Sequence, residues 1–524
     1  MSDAGRRILT LIVGSLLFGS IAMAQGGGGT LRIGLNSEPI TLNPAITNNQ
    51  IDVFVSAKVY EGLIYVDEDM NPVPGLARSW EVSDDGLTIT LQLQQGVRWH
   101  DGVPFTSADV KFSLEDVVKT KHPLGPSQLA VLESVETPDD ETAILHLSGP
   151  SIFFASPYLA LNASTAPIIP KHLFEGPDIA TNPVSSNPVG TGPFRFEEWV
   201  RGSHIVLVRN DDYWAAGLPL LDQVVYLVIP DASTRLLAFE NGEIDYLPFG
   251  VPYSALGRLG ARPDVDVIRF RDTRYQIHGL YFNVRNEPFS NPLVRQAIAH
   301  AIDKQAIVDN VTFGYDRVAN SIQQSGSVFY NPGVPTYDLD LTTAAALLDQ
   351  AGLTPGANGI RFETVFTVDL GAGETALKTA ELLRDQLAKV GIALKIVPLE
   401  RATFLQTVYQ NYDFEVATFY GTMGPDPSVG SKWFVTPSAP ASFVNPTGYS
   451  NPKIDDLLGE FAVQTDQNRR RELFNEAQDI LLTDLPYIPI REDSWPVLVS
   501  SRFTGVATDM FAGKADRLLN AARR

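Results

Sequence analysis

The sequence predicts an α/β protein built from more than one packed unit. Its 524 residues, of which 44% are hydrophobic and 19% are charged, exceed what a single core usually organises. Apolar residues at 87, 89, 91 and 93 alternate with polar ones, which is the period of a half-buried strand. Further along, an apolar stripe from Leu377 to Val390 repeats at helical spacing, stops at Gly391 and gives way to the alternating strand 392–396, and this order is half of a βαβ unit.

The first part of the chain is predicted to be mainly β. The run 31–35 alternates like a strand, and the strand at 87–93 follows an Asp-Gly turn. Thr106 then stands three residues before Asp109 and ahead of an apolar run, which is typical of a capping box that starts a helix. The runs 194–196 and 205–208 follow as a hairpin.

The second half is predicted to be more helical. Residues that favour N-cap positions precede apolar runs at helical spacing. These caps are Asn291, before Pro292, and Asp340, and the last long helix covers 468–482 before a strand at 488–490.

Charge and cysteine content exclude several functions. The chain has 61 acidic and 40 basic residues, a formal net charge of −21, so it lacks the basic surface that nucleic acids or anionic membranes require. We therefore expect no nucleic-acid partner. It has no cysteine, which excludes thiol catalysis, thiolate metal sites and disulfides.

The N-terminus resembles a secretion signal. Arg6 and Arg7 precede an apolar run at 8–22, and Ala22-Met23-Ala24 forms a small-x-small cleavage site before Gln25. A membrane-spanning helix needs about 20 apolar residues, which this run does not reach. We predict a cleaved signal peptide over 1–24 and a periplasmic protein without a lipid anchor; a short membrane anchor is the alternative.

Catalytic motifs are missing from the sequence. It contains no G-x-S-x-G, no H-E-x-x-H, no P-loop and no strand-linked G-x-G-x-x-G. The histidines are scattered without the i, i+3 or i+4 pairs of a metal site, and paired aspartates such as Asp84-Asp85 sit among turn residues. We expect no enzyme activity, no metal and no cofactor. His278 is the one histidine we single out, because it lies in a polar and aromatic stretch.

Several short motifs stand out along the chain. They are GLARSW at 75–80, SDDGLT at 83–88, GVRWHDG at 96–102, PFTSADV at 104–110, NPVGTGPF at 187–194, VRQA at 294–297 and YSNP at 449–452. These motifs resemble those of the peptide/nickel/opine class of extracellular solute-binding proteins, family 5, the periplasmic receptors of ABC importers, and the resemblance covers nearly all of the chain after residue 25.

The resemblance implies a two-lobed periplasmic-binding-protein fold of the type II-like, large class, which closes on its ligand as a hinged clamp. The implied division has a first lobe in several parts and a continuous second lobe. Its segments are 1–24 signal peptide, 25–59 lobe I, 60–185 an inserted subdomain of lobe I, 186–273 lobe I, 274–490 lobe II and 491–524 lobe I.

The function implied by the resemblance is capture of a peptide or similarly sized organic solute for delivery to an inner-membrane ABC permease. The protein is expected to act as a monomer, as is usual for the family. An oligosaccharide, a modified peptide, an aromatic acid or a metal chelate is the alternative ligand in the same role. A secreted hydrolase acting through scattered carboxylates is the remote alternative from another class.

The ligand-binding residues are proposed from the same resemblance. They are Asn48, Gln50, Phe249, Arg274, Tyr275, His278, Phe419, Tyr420, Met423, Asp426, Arg491 and Asp493. In the family's peptide receptors, a loop similar to 418–427 carries an aspartate that pairs with the peptide's amino group.

Alignment on Asp426-Pro427 puts Met423 in the place of that aspartate. A buried ammonium needs a carboxylate, so we predict that free di- and tripeptides bind poorly. Either Asp426 or Asp493 is the alternative partner for the amine. Arg274 or Arg491 is the predicted anchor for a ligand carboxylate.

Overall fold

A computed structural model gives the architecture. It describes residues 28–67, 71–149, 151, 154, 161–270, 276–424, 426–440, 444–464, 466–507 and 517–524. The predicted signal peptide therefore lies outside the described residues.

The strands in chain order are β1 (Thr30–Leu35), β2 (Ile64–Val66), β3 (Pro72–Pro74), β4 (Ala77–Val82), β5 (Thr88–Leu93), β6 (Leu132–Asp139), β7 (Thr142–Leu147), β8 (Phe194–Val200), β9 (His204–Arg209), β10 (Gln223–Val228), β11 (Tyr246–Leu247), β12 (Val265–Arg269), β13 (Gln276–Phe282), β14 (Arg317–Val318), β15 (Phe362–Asp369), β16 (Ile392–Leu399), β17 (Val416–Thr422), β18 (Tyr487–Glu492), β19 (Pro496–Ser500), β20 (Phe503–Thr504) and β21 (Ala522–Arg523). The α-helices are Gln50–Ser56, Ser107–Lys111, Lys119–Lys121, Gly125–Gln128, Lys171–Phe174, Ala232–Glu240, Tyr253–Gly260, Pro292–Ala301, Lys304–Val311, Leu341–Gln350, Glu374–Leu387, Arg401–Leu405, Pro452–Val463 and Gln467–Asp484. The segments Phe112–Val118 and Gln406–Gln410 are wound as π-helix.

The structure confirms the local predictions that were made from the spacing of residues in the sequence. β5 buries every second residue, as the alternation at 87–93 predicts. The helix Glu374–Leu387 is followed by a short 3-10 turn and then by Gly391, whose φ of 81° is the left-handed conformation that glycine adopts readily. The Thr106 amide donates to the carboxylate of Asp109 over 2.9 Å, which closes the predicted capping box.

Two large sheets and a smaller one organise the described chain. The first sheet has the strand order β12-β19-β11-β1-β10-β9-β8, and the second has the order β14-β18-β13-β17-β15-β16. A smaller antiparallel sheet, β4-β5-β7-β6, lies within the stretch predicted as the inserted subdomain. Each sheet packs against its own cluster of buried hydrophobic residues.

The chain passes between the two large sheets twice. It leaves the first sheet after β12, which ends at Arg269, and enters the second at Gln276. It returns between the end of β18 at Glu492 and the start of β19 at Pro496. The predicted boundary at 490/491 falls inside β18, so the strand bounds move the return to residues 493–495. The division into lobes itself stays a prediction.

Candidate functional site

The strand directions identify one edge of each large sheet that the two crossings connect to the other large sheet. In the first sheet, β1 runs parallel to β10 and β11, and both crossings join the edge where these strands end. In the second sheet, β15 runs parallel to β16 and β17, and the crossings join the edge where these three strands end. Ligands of open α/β sheets bind outside the carboxyl ends of strands. We call these two edges the facing edges.

Three predicted residues form one row across the second sheet at its facing edge. The strand register pairs His278 of β13 with Tyr420 of β17 on one side and with Arg491 of β18 on the other. The ring centroids of His278 and Tyr420 are 6.1 Å apart. Asp493, just beyond β18, places Oδ2 3.5 Å from His278 Nε2. Four of the predicted residues therefore meet at one place.

A tyrosine from the first sheet's side meets two carboxylates of this region. The hydroxyl of Tyr253 lies 3.0 Å from Asp316 Oδ1 and 3.1 Å from Asp493 Oδ1. Asp316 also accepts a hydrogen bond from the Ser494 amide and pairs with Arg491. We call these residues the Tyr253 junction. It fastens the helix that follows β11 to the return crossing and to the second sheet.

The electrostatics of this junction follow from burial. Burial lowers the pKa of His278, and the positive charge of Arg491 lowers it further, so the imidazole is neutral at neutral pH. Burial also raises the pKa of the Tyr253 phenol, and the two neighbouring carboxylates raise it further. The hydroxyl thus stays protonated and can donate to either carboxylate.

A second polar group extends the row toward β16. The carboxylate of Asp369, at the end of β15, accepts hydrogen bonds from Arg401 Nη1 at 2.6 Å, the Gly371 amide at 2.8 Å and the Tyr420 hydroxyl at 3.2 Å. The guanidinium carbon of Arg401 lies 4.9 Å from the centre of the Tyr420 ring. Burial raises the pKa of Asp369, while Arg401 opposes that shift.

Three predicted apolar contacts lie in hydrophobic cores. Phe249 packs edge-on against Phe54 at 4.9 Å, beneath the first facing edge. Phe419 packs against Tyr281 at 4.8 Å on the core side of β17. Met423 is 1% exposed, and a Cβ added at Gly430 would meet its sulfur. These side chains support the site's framework without an accessible surface of their own.

Asp426 is committed to a buried ion pair. Its carboxylate accepts two hydrogen bonds from the guanidinium of Arg470, at 2.6 and 2.8 Å. The Arg470 side chain is fully buried, with its guanidinium carbon 4.1 Å from the centre of the Phe461 ring. A carboxylate held in this way fixes the loop after β17 to the helix Gln467–Asp484. The alternative in which Asp426 receives a ligand amine therefore loses support. Asp493 is also buried, and its Oδ1 accepts hydrogen bonds from the Tyr253 hydroxyl and the Trp495 amide.

Arg491 is likewise occupied. It is 3% exposed, pairs with Asp316 and donates to Thr375 Oγ1 over 3.1 Å. This placement does not suit the predicted role as an accessible carboxylate anchor. The other predicted anchor, Arg274, and its neighbour Tyr275 lie outside the described residues.

Asn48 lies on the loop that follows β1, and Gln50 starts the helix after that loop, on the side of the first facing edge. Asn48 is exposed and Gln50 is half-buried at the first position of its helix. Next to them lies an open groove of about 390 Å³, at whose wall Asp52 accepts hydrogen bonds from the Ile40 amide and the Thr47 hydroxyl.

The structure also brings forward residues that the sequence did not single out: Tyr253, Asp316, Asp369 and Arg401. Asp369 had a usable signal, because it ends a strand and is followed by a glycine-rich turn and a helix, the arrangement of many binding edges. Tyr253 and Asp316 carried no local signal, since they are 63 positions apart and meet only in the folded chain.

Among the residues that the structure describes, no group of three or more acidic or imidazole side chains is placed to hold a metal ion. Within the same residues, no helix combines the length and apolar content needed to cross a bilayer.

Comparison with known proteins gives consistent matches. The family model for bacterial extracellular solute-binding proteins, family 5 (Middle), matches residues 71–442. The glutathione-binding protein GsiB of Salmonella typhi is 29% identical over 487 residues, covering 90% of this chain and 91% of that protein.

Solved structures agree with these sequence matches. The ABC transporter substrate-binding protein CtaP of Listeria monocytogenes superposes with a TM-score of 0.83 at 26% identity, covering 95% of this chain and 100% of that one. The binding protein AgaA of A. tumefaciens in complex with agropinic acid gives a TM-score of 0.77 at 29% identity, covering 95% and 99%.

Proposed function

Because the chain belongs to the bacterial extracellular solute-binding proteins of family 5, we propose that it captures a peptide-like or similarly sized organic solute between the facing edges and delivers it to an inner-membrane ABC permease. The observation that carries this proposal is the convergence of His278, Tyr420 and Asp493 at an edge joined to the other sheet by two crossings. Two crossings act as a hinge, and residues on both sides can contact one solute.

Closure accounts for the transport role without any chemistry. A solute that touches both facing edges binds the closed state better, and only this difference in affinity shifts the population toward closure. A shift from 1:99 to 99:1 requires about 5.5 kcal/mol of such difference. We propose that the permease recognises the closed form, that the protein acts as a monomer and that the solute leaves unchanged.

The proposed ligand class rests on two positions, 423 and 426, at which the chain offers no available carboxylate to a ligand amine. The position that holds an amine-binding aspartate in the family's peptide receptors is Met423 here, which is buried and has no carboxylate. Asp426 is held by Arg470. We therefore propose a solute without a free terminal ammonium, such as a modified peptide, an oligosaccharide or an aromatic acid. Asp493 is the alternative partner if the solute does carry an amine.

Native mass spectrometry of protein purified from its source tests the transport role, since a co-purified solute appears as added mass. Recovery of that solute unchanged after incubation is expected, and a product in its place would favour an enzyme. Calorimetry with Met-Leu and its N-acetyl derivative then tests the ligand class. Micromolar binding that disappears on acetylation would contradict the absence of an amine site, and its loss in Asp493→Asn would identify the replacement.

Localisation is proposed as periplasmic after removal of residues 1–24. Intact-mass measurement of the protein from a periplasmic extract should give a chain beginning at Gln25. Recovery of the chain with Met1 in the membrane fraction would contradict this.

A further inference from the structure

Arg401 is an arginine with accessible surface at the second facing edge. It lies two residues beyond the end of β16, at the start of the next helix, and 38% of its side chain is exposed. Its pairing partner Asp369 is fully buried. The guanidinium thus pairs with a buried carboxylate while more than a third of the side chain stays accessible to solvent.

The orientation of Arg401 is set before any solute arrives. Asp369, which receives Arg401 Nη1 at 2.6 Å, is itself held by the Gly371 amide and the Tyr420 hydroxyl. The guanidinium lies near the Tyr420 ring, which restricts it further. A side chain that is already ordered loses little conformational entropy on binding, and this raises affinity.

Arg401 adjoins the row of predicted binding residues. Tyr420 contacts Arg401 on one side and His278 on the other, with the two ring centroids 6.1 Å apart. His278 in turn neighbours Asp493 at the return crossing. A solute lying along this row would place one end at Arg401.

We infer that Arg401 binds a carboxylate of the transported solute. The inference rests on the proposed function and names the chemical group that its site recognises. A guanidinium has five N–H donors in a planar fork, so it can hold Asp369 and a second carboxylate at once. Arg491 cannot take this role without breaking its buried pair with Asp316.

Two probe pairs, each made of an acid and an uncharged derivative of it, test the inference by calorimetry. They are N-acetyl-Met-Leu with its carboxamide, and agropinic acid with its methyl ester. We expect at least one acid to bind the wild-type protein about tenfold or more tightly than its neutral partner, because hydrogen bonds between charged groups are stronger than neutral ones. We expect Arg401→Gln to remove that preference.

A conservative variant and a matched control accompany this test. Arg401→Gln leaves the buried Asp369 without its cation, so Arg401→Lys, which keeps the charge and loses the planar fork, should fold normally and lose a several-fold part of the preference. Arg384→Gln is the control, because this exposed arginine lies about 15 Å along its helix from the facing edge. It should bind both members of each pair as the wild type does.

The inference is overturned if acid and neutral probes bind equally well, if the acid preference survives both Arg401 variants, or if neither acid binds. The proposed transport role is judged separately by the co-purified solute. A neutral co-purified solute would thus remove the role of Arg401 and leave the transport function standing. Absence of any bound solute would count against the function itself.

Discussion

Replacement of Asp426 by asparagine tests whether this residue holds the structure or binds a ligand. The change removes the charge that Arg470 meets through two hydrogen bonds at 2.6 and 2.8 Å, both in a site closed to solvent. Removing one partner of a buried ion pair costs about 3–5 kcal/mol, because the remaining charge has no compensation. Asparagine keeps an acceptor for the Ser428 amide, so we expect the lower part of that range, about 3 kcal/mol.

Thermal unfolding followed by circular dichroism measures this effect. If the predicted second lobe, 274–490, unfolds as one unit, a loss of about 3 kcal/mol lowers its Tm by roughly 6–12 °C. The control is Glu460→Gln, which removes one of the two acidic partners of Arg469, the neighbour of Arg470 on the same helix. Both members of that pair are nearly half exposed, so its loss should cost less than about 1 kcal/mol.

The double variant Asp426→Asn with Arg470→Met completes the cycle, and it should recover part of the stability because the stranded cation is gone. A Tm for Asp426→Asn within a degree of the wild type would refute the structural role. Unchanged stability together with lost binding of Met-Leu would instead restore Asp426 as the amine partner.

Two further predictions concern the Tyr253 junction and a half-buried histidine. Tyr253→Phe removes the hydrogen-bond donor shared by Asp316 and Asp493. We therefore expect calorimetry to show about 5- to 30-fold weaker binding of the probe that binds the wild type most tightly, and small-angle scattering to show a larger radius of gyration at saturation. Unchanged values in both measurements would contradict a role in closure. His100 accepts from the Gly190 amide and contacts the Gly192 carbonyl at 3.0 Å, and burial lowers its pKa to about 4. As the pH falls, His100 therefore takes up its proton in the unfolded chain before it does so in the folded chain. The stability that neutral His100 contributes is complete above pH 6.5 and is lost as the pH falls toward 4, by up to about 3 kcal/mol. His100→Asn should flatten this part of the curve of unfolding free energy against pH, and an unaltered slope would assign the loss to other groups.

The sequence predicted local structure well where one residue's neighbours in the chain decide its environment. The strand at β5, the capping box at Thr106 and the stop at Gly391 each depend on spacing within a few residues. The family resemblance was likewise carried by contiguous motifs, and the family match confirms it.

The site was predicted less completely, because burial and pairing are properties of the folded chain. His278, Tyr420 and Asp493 were each named from the sequence, and the folded chain places them near one another, while their role in binding stays a prediction. The sequence could not show that Asp426 faces Arg470, 44 positions away. Phe419 and Tyr420 are adjacent in sequence, but successive side chains of a strand point to opposite faces, so one enters the core and the other the facing edge.

The position of β19 in the first sheet has a consequence for the order in which the molecule assembles. β19 lies between β12 and β11, although it is made more than 200 residues after either of them. Until β19 has been synthesised, β11 and β12 lack the strand that lies between them, and the backbone groups that pair with it stay unpaired. The second sheet also lacks β18 until nearly the same moment. A chain emerging amino end first thus cannot complete either large sheet before its last segment appears, and we expect slow final assembly dominated by contacts between distant parts of the chain.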